Sequence, residues 1–555
     1  MTYKNGSLLF IAILTLLFAC KSTQVPVSLE DSLQQAVSMN NVASLGLVDF
    51  RNTPLTNAVI MPGTTEITPH KYAFNHLRKV TLPNSVTIVG KAAFAFNELS
   101  SVTFSSSLST IDDAAFMGNK LNDIDLPVSL IDINMRAFAG NELGSLIIPR
   151  GVKNVGKYAF AVNKIRLLHL PESLSEIGDW AFAGNMLQKV VIQEGTLSIG
   201  EGSFAANQID ELKLPESATI IKSAAFAKNN LQKVKLPEKL TIIEAKLFLQ
   251  NQISEIVIPN PVTKINEGAF ASNKLTKLSF PLPRSGTGVT LIGNMAFSNN
   301  IISGTIAFPR NLRTIGDGAF INNNISEVKL PQSLINLGKS SFENNPLQKV
   351  TVPSIVRSVP EKCFYKNKLN TAVLQSSSMS FIGAYAFADN ELQRITIPNG
   401  IRRIERSAFE NNKLSAVRFI SGNLRNIDES AFAHNKIELI YIPGSCSIIG
   451  RSAFEDNKIN RVTLPISVRT IEDRAFAGNL ITTLKVPEYI KTVGEDAFEG
   501  SKITSITIGK NRVFPKSAFG EYSESFTDFY EKNLRRNGRY LYVEEGWTFK
   551  MQSQL

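Results

Sequence analysis

Apolar and polar residues follow one another along this chain in a unit that repeats. In residues 121–141, Leu121, Ile124, Leu126, Leu130 and Ile133 are apolar, and the pair Ala137-Phe138 precedes a closing Asn141. Ile124 and Leu126 alternate with Asp123 and Asp125, the period of two expected of a strand with its aspartates outward. Pro127 stops that strand and begins a turn; proline recurs there as Pro83, Pro149, Pro171, Pro215, Pro237, Pro331, Pro398 and Pro465. The column of Ile133 is β-branched in neighbouring units (Ile111, Val155, Ile177, Ile199, Ile221), which predicts a second extended segment. Phenylalanine returns every 22 residues from Phe94 to Phe270 and continues from Phe297 to Phe498. Every one from Phe94 to Phe476 is followed three residues later by asparagine. A fixed period in this range predicts a solenoid, each coil burying its apolar face against its neighbours.

Ala137 is small, which lets Phe138 enter the core, so stacked coils predict a spine of aromatic rings. Each buried ring contributes roughly 1.5–3 kcal/mol by transfer from water. The asparagines are expected to turn inward, their amides bonding backbone groups of the turn and the next asparagine. The position after the Ile133 column is often glycine, as in Gly156, Gly178 and Gly200. Glycine there suggests positive φ, but Pro360 shares the column and proline holds φ negative, so no left-handed turn is expected at it. The first unit, about residues 55–76, is degenerate. Its Phe74 is followed at once by Asn75, as though two residues were missing. Terminal repeats cap the core and are expected to differ.

Ahead of the repeats, residues 8–18 form an apolar run of signal-peptide length, too short to cross a bilayer comfortably. It ends in Leu17-Phe18-Ala19-Cys20, which resembles the bacterial lipobox. That resemblance implies a lipid on the sulfur of Cys20, which becomes the mature N-terminus. Residues 21–27 read as a tether, and residues 28–39 as a short helix with Ser28 as its N-cap and Asp31 at the capping-box position. The expected organisation is a signal peptide at 1–19, a tether and N-terminal cap at 20–54, the solenoid at 55–509 and a C-terminal cap at 510–555.

Composition changes this picture little. The 555 residues carry a net charge of +11 at pH 7, or +10 once the first nineteen residues and their single Lys4 are removed. That balance favours anionic partners weakly. No Lys/Arg run with interleaved aromatics is present, so nucleic acid is not an expected partner. Beyond Cys20 the cysteines are Cys363 and Cys446, about four coils apart or roughly 19 Å at strand spacing. Bridging cysteines need Cα atoms within about 7 Å, so both read as buried small hydrophobes. The four histidines, His70, His76, His169 and His434, are scattered, although His70 and His76 share the first coil. No metal or cofactor site is expected.

The pattern Asn-x-Leu-x-x-Val-x-Leu-Pro-x-x-Leu-x-x-Ile-Gly-x-x-Ala-Phe, carried nearly throughout by residues 231–251 and 459–479, resembles the leucine-rich repeats of bacterial BspA-like surface proteins. The resemblance covers about residues 55–509. It implies a β-rich α+β solenoid, a right-handed leucine-rich-repeat array of 22–23-residue coils with a parallel strand per coil and a C-terminal capping segment. Many relatives carry cysteine where this chain carries asparagine. Phe526-Thr-Asp-Phe-Tyr530, Gly538-Arg-Tyr540 and Trp547 resemble the aromatic C-terminal segment of some relatives and read as a short helix plus hairpin. Such proteins are described as surface adhesins or host-matrix binders. The implied location is the cell envelope, lipid-anchored at the outer membrane or cell surface.

Parallel strands give one long face on which a partner could sit. Ile147, Leu167, His169 and Val191 fall at outward positions of adjacent coils and predict an apolar contact patch. Lys189, Lys213, Lys233, Lys235 and Lys277, mixed with Glu211 and Glu255, form a candidate anion-binding stretch or a solvated face with cross-strand pairing. Arg418 and Tyr441, beside Leu439, make a smaller candidate, since both residue types are favoured anchors. The one sizeable break in period places five extra residues in Pro283-Arg-Ser-Gly-Thr-Gly-Val289, a loop. The expected function is a surface-anchored, monomeric binding protein for an extracellular or host protein or an anionic glycan. A structural envelope role without a dedicated ligand is the alternative. An enzyme is not expected: the outward carboxylates Asp123, Asp125, Glu211 and Glu255 are spread along the face, and no nucleophile motif, phosphate loop or metal-ligand spacing occurs.

Overall fold

The computed structural model describes residues 55–280, 288–420, 422–544 and 546–551. The apolar N-terminal run, Cys20, the 28–39 segment and the loop at 281–287 lie outside the described residues. The chain divides into two compact units, Met1–Ile209 and Asp210–Leu555.

Both units are built from parallel coils with two short extended segments each. In the first unit, the β-branched column forms a continuous parallel ladder. It runs through Glu66–Ile67, Ile88–Val89, Thr110–Ile111, Asp132–Ile133, Asn154–Val155, Glu176–Ile177 and Ser198–Ile199. The register is one coil per step, Ile111 opposite Ile133 and Val155 opposite Ile177. In the second unit, similar ladders run from Ile242–Ile243 to Asn336–Leu337 and from Ser358–Val359 to Thr492–Val493. The strand before each proline pairs in shorter groups, such as Lys79–Thr81 with Ser101–Thr103 and Arg394–Ile397 with Ala416–Phe419. The strand expected around Asp123 and Asp125 does not form. There the Asp123 carboxylate accepts a hydrogen bond from the Ile124 N–H at 3.0 Å, a local partner that competes with the ladder. Residues 233–235 also lack the strand, and nothing in the structure explains it. Proline marks the turn as expected: the Pro127 carbonyl accepts from the Leu130 N–H at 3.0 Å.

The aromatic spine is present in both units. Phe94, Phe116, Phe138, Phe160, Phe182 and Phe204 are fully buried and stack face to face, with centroids 5.3–5.6 Å apart and planes within 15°. The spine begins one coil earlier than the sequence suggested. Tyr72, not Phe74, stacks on Phe94 at 5.2 Å, and Asn75 then stands three residues after it. No residues are missing from the first coil; a tyrosine ring fills the aromatic slot. The five extra residues between Phe270 and Phe297 leave the packing in register, since those rings stack at 5.4 Å and Ile265 still pairs with Ile292.

Either side of each ring the chain turns through left-handed conformations that the sequence did not reveal. Ala92 and Phe96 bracket Phe94 at φ of 50° and 54°, and Tyr158 and Val162 bracket Phe160 at 59° and 55°. Residues with side chains adopt this region at a cost. Here it is repaid by hydrogen bonds: the N–H groups of Ala92, Phe94 and Phe96 donate to the carbonyls of Asp113, Ala115 and Met117 in the next coil, each at 2.8 Å. The glycine column is not left-handed, as proline in it foretold. Its reason is proximity: a Cβ on Gly178 would lie 2.6 Å from the Gly156 carbonyl carbon.

The parallel stacking ends in a cap. Ser505–Ile508 pairs antiparallel with Gly538–Val543, which forms a hairpin with Gly546–Met551. The helix Ser523–Lys532 packs Phe526 edge-on against Phe519, which itself stacks on Phe498 at 6.2 Å. The Tyr530 hydroxyl donates to the Gly509 carbonyl at 2.7 Å, and the Tyr540 hydroxyl to the Arg536 carbonyl at 2.8 Å. Tyr530 and Tyr540 are both buried.

Candidate recognition surface on the strand face

The strands Ser145–Ile147 and Leu167–His169 pair in parallel, with Ile147 opposite His169. Their central residues face the core, while Ile147 and Leu167 are 69% and 73% exposed. The next strand, Lys189–Val191, does not join that sheet. Where the ladder is interrupted, an open groove of about 540 Å³ runs over Ile147, Leu167, Leu168, His169, Leu170 and Val191, with Ser145, Lys189 and Gln193 on its rim. The four apolar-patch residues expected from sequence are thus brought together. Val191 is half-buried and forms part of the groove wall.

The lysine stretch falls in both units. Lys189 rims the groove in the first unit, while Lys213, Lys233 and Lys235 belong to the second. Lys235 is held by Glu216, with Nζ and Oε1 2.6 Å apart, and this hydrogen bond raises the lysine pKa and lowers that of the carboxyl. Arg418 and Tyr441 lie on the adjacent strands Ala416–Phe419 and Leu439–Tyr441 and are both exposed. A second open groove, about 470 Å³, runs beside Tyr441 over Phe419, Gly422, Ile442, Pro443, Gly444 and Ser445. It too falls at a ladder interruption, since Ala416–Phe419 and Leu439–Tyr441 belong to different sheets. The sequence showed the exposed residues; it held no signal for the interruptions that shape the grooves.

The asparagines serve the fold. Asn119 Nδ2 donates to the carbonyls of Phe94 and Phe116, and its Oδ1 accepts from the Leu99 N–H. At Asn119 and Asn141 the amide is occupied at both ends by backbone groups of two coils rather than by the next asparagine. Cys363 and Cys446 are free and buried, with thiol pKa values pushed up to about 12 by burial. His76 bonds Glu98, Nδ1 to Oε1 at 3.2 Å, rather than His70. Among the described residues no three His, Cys, Asp or Glu side chains could share a metal ion, and no helix is long and apolar enough to cross a membrane.

Parallel coils of about 22 residues, most turning at a proline and each stacking a buried aromatic ring on the next, define a leucine-rich-repeat solenoid. The chain belongs to the family described as the BspA type leucine rich repeat region, matching it in six overlapping stretches: 43–166, 131–253, 175–301, 274–390, 357–481 and 447–542. Proteins of this family are generally bacterial cell-surface proteins with a repeat-based role in protein interaction, and the fold is typically a non-enzymatic scaffold. Among solved structures, a leucine-rich repeat protein from Bacteroides ovatus is similar at 17% identity and a TM-score of 0.45, covering 68% of this chain and 97% of its own. YopM from Yersinia enterocolitica is similar at 17% identity and a TM-score of 0.41, covering 92% and 97%. A leucine rich cell surface protein from Faecalibacterium prausnitzii is similar at 18% identity and a TM-score of 0.29, covering 66% and 86%. No curated protein matches.

Proposed function

We propose that this protein is a lipid-anchored surface adhesin that grips an extracellular or host protein through its strand face. The observation that carries the reading is the groove beside Leu167, where exposed apolar side chains of successive coils are contiguous and rimmed by polar ones. Such surface marks interaction sites, and a partner's apolar side chains would gain from filling it. Anchoring rests on Cys20 and the apolar run before it. A diacylated and N-acylated cysteine carries more than one chain, which stable membrane attachment requires.

Purified protein should bind a panel of matrix proteins saturably, and Leu167→Asp or Val191→Asp should abolish that binding while leaving the melting temperature unchanged. If no matrix or cell-surface protein binds, the structural envelope role takes its place. Labelled fatty acid should enter the wild-type protein and not Cys20→Ala, and protease added to intact cells should cut the repeats. An unlabelled, protease-protected protein would overturn the anchored, exposed arrangement.

A further inference from the structure

On the second unit the strand face carries cations and no carboxylate at its outward positions over five successive coils. At the outward strand positions stand Arg394 and Thr396, Ala416 and Arg418, Leu439 and Tyr441, Arg461 and Thr463, then Thr483 and Lys485. Four are cations and none is a carboxylate. Arg394, Arg418, Arg461 and Lys485 are all exposed. Glu391 pairs with Lys413 at 2.8 Å, and the nearest other acids, Glu438 and Glu488, stand beyond the ends of the strands. The register gives the cations a regular placement. Arg394 lies opposite Ala416, and Leu439 opposite Arg461, so the two arginines of that column stand three coils apart. Arg418 and Lys485 stand three coils apart in the other column. Both spacings are roughly 14 Å at about 4.8 Å per coil. Between them the Tyr441 ring is 59% exposed, beside the open groove floored by Gly444 and Pro443.

We propose that this face is a second binding site, distinct from the groove at Leu167, and that it takes a carboxylated polysaccharide laid along the coils. The guanidinium fork matches a planar carboxylate in two parallel hydrogen bonds, and an unpaired row of such forks suits a ligand whose carboxylates recur. The exposed tyrosine gives an apolar ring face on which a sugar ring stacks, with a hydroxyl at its edge. Thr396, Thr463 and Thr483 provide hydroxyls that donate to and accept from sugar hydroxyls.

The test uses the full chain with polygalacturonate as probe, and neutral dextran and single-stranded oligo-dT as comparisons. Polygalacturonate should bind and weaken as salt rises. Dextran should not bind. The R418Q/R461Q pair should weaken binding at least about tenfold, and Y441A severalfold, since stacking and charge act together. Leu167→Asp should leave this binding unchanged, which separates the site from the protein-binding groove. All three substituted side chains are exposed, so an unchanged melting curve verifies the fold. Wild-type protein that ignores polygalacturonate, a double variant that binds it fully, or equal retention of oligo-dT would each overturn the proposal.

Discussion

The Asn119 side-chain amide donates to the carbonyl oxygen of Phe94, one coil away, at 2.9 Å. The same amide serves Phe116 at 3.0 Å and accepts from Leu99 at 3.0 Å, so one side chain ties two coils together at a buried corner. Asn119→Ala would leave the buried Leu99 N–H without its acceptor, while the carbonyls of Phe94 and Phe116 keep their bonds from Asn97 and Asn141. One unsatisfied buried group costs about 1–3 kcal/mol, and a loss of that size is expected in chemical denaturation. A loss below about 1 kcal/mol would mean that the corner re-forms without the amide.

The rings between the coils should be less forgiving. Phe182 is buried between Phe160 and Phe204, at 5.6 Å and 5.4 Å. Phe182→Ala should cost about 3–5 kcal/mol, the range for deleting a core ring. Limited proteolysis should place the first new cuts near that coil, because repeat arrays depend on contacts between neighbours.

Two glycines should respond in opposite ways to the same methyl group. At Gly178 the added carbon would meet the backbone of Gly156, whereas at Gly444 nothing lies within 4 Å. Gly178→Ala should destabilise by about 1–3 kcal/mol, and Gly444→Ala should stay within about 0.5 kcal/mol of the parent. Thermal melts of the pair would decide it.

Burial pushes both thiols up to about 12, against an ordinary 9.0. At pH 8 the native protein should therefore resist alkylation at Cys363 and Cys446, and label fully once unfolded. Because these folded-state values are raised, the associated stability is present below the unfolded value of 9.0 and is lost as pH rises from there toward 12. Labelling at native pH as fast as in a denatured control would contradict the burial.

The Glu98 carboxyl is shifted the other way. Its hydrogen bond from His76, helped by Lys120 and Arg78, holds its pKa below the usual value. The sign follows: this contribution is present above the ordinary carboxyl pKa and is lost as pH falls through the lowered one. Titration by NMR should show Glu98 rising toward its ordinary value in His76→Ala.

Much of the architecture was legible because its period is strict. The rings from Phe94 onward, the proline turns and the β-branched column each sit where the pattern put them. Tyr72 was missed because a search for phenylalanine passes over a ring of the same shape with a hydroxyl. The corners at Ala92 and Phe96 were missed because alanine and phenylalanine carry no signal for positive φ. On the candidate face, Ile147, Leu167, His169 and Val191 were found by outward spacing alone, whereas the groove they line depends on an interrupted ladder. The ion pair of Lys235 with Glu216 joins residues nineteen positions apart in adjacent coils, a geometry that only the turn between them sets.

The repeating sequence determined which side chains go inside, since a period of 22 with apolar residues at fixed places has one way to bury them all. It also determined which residues face out, because alternate strand positions point to opposite sides. The tertiary structure alone decided where neighbouring strands pair and where they part. That choice depends on side chains such as Asp123 competing for backbone N–H groups and on the approach of one coil's backbone to the next, as at Gly178. These are balances of single hydrogen bonds and fractions of an ångström, which a repeating pattern of residue types does not record.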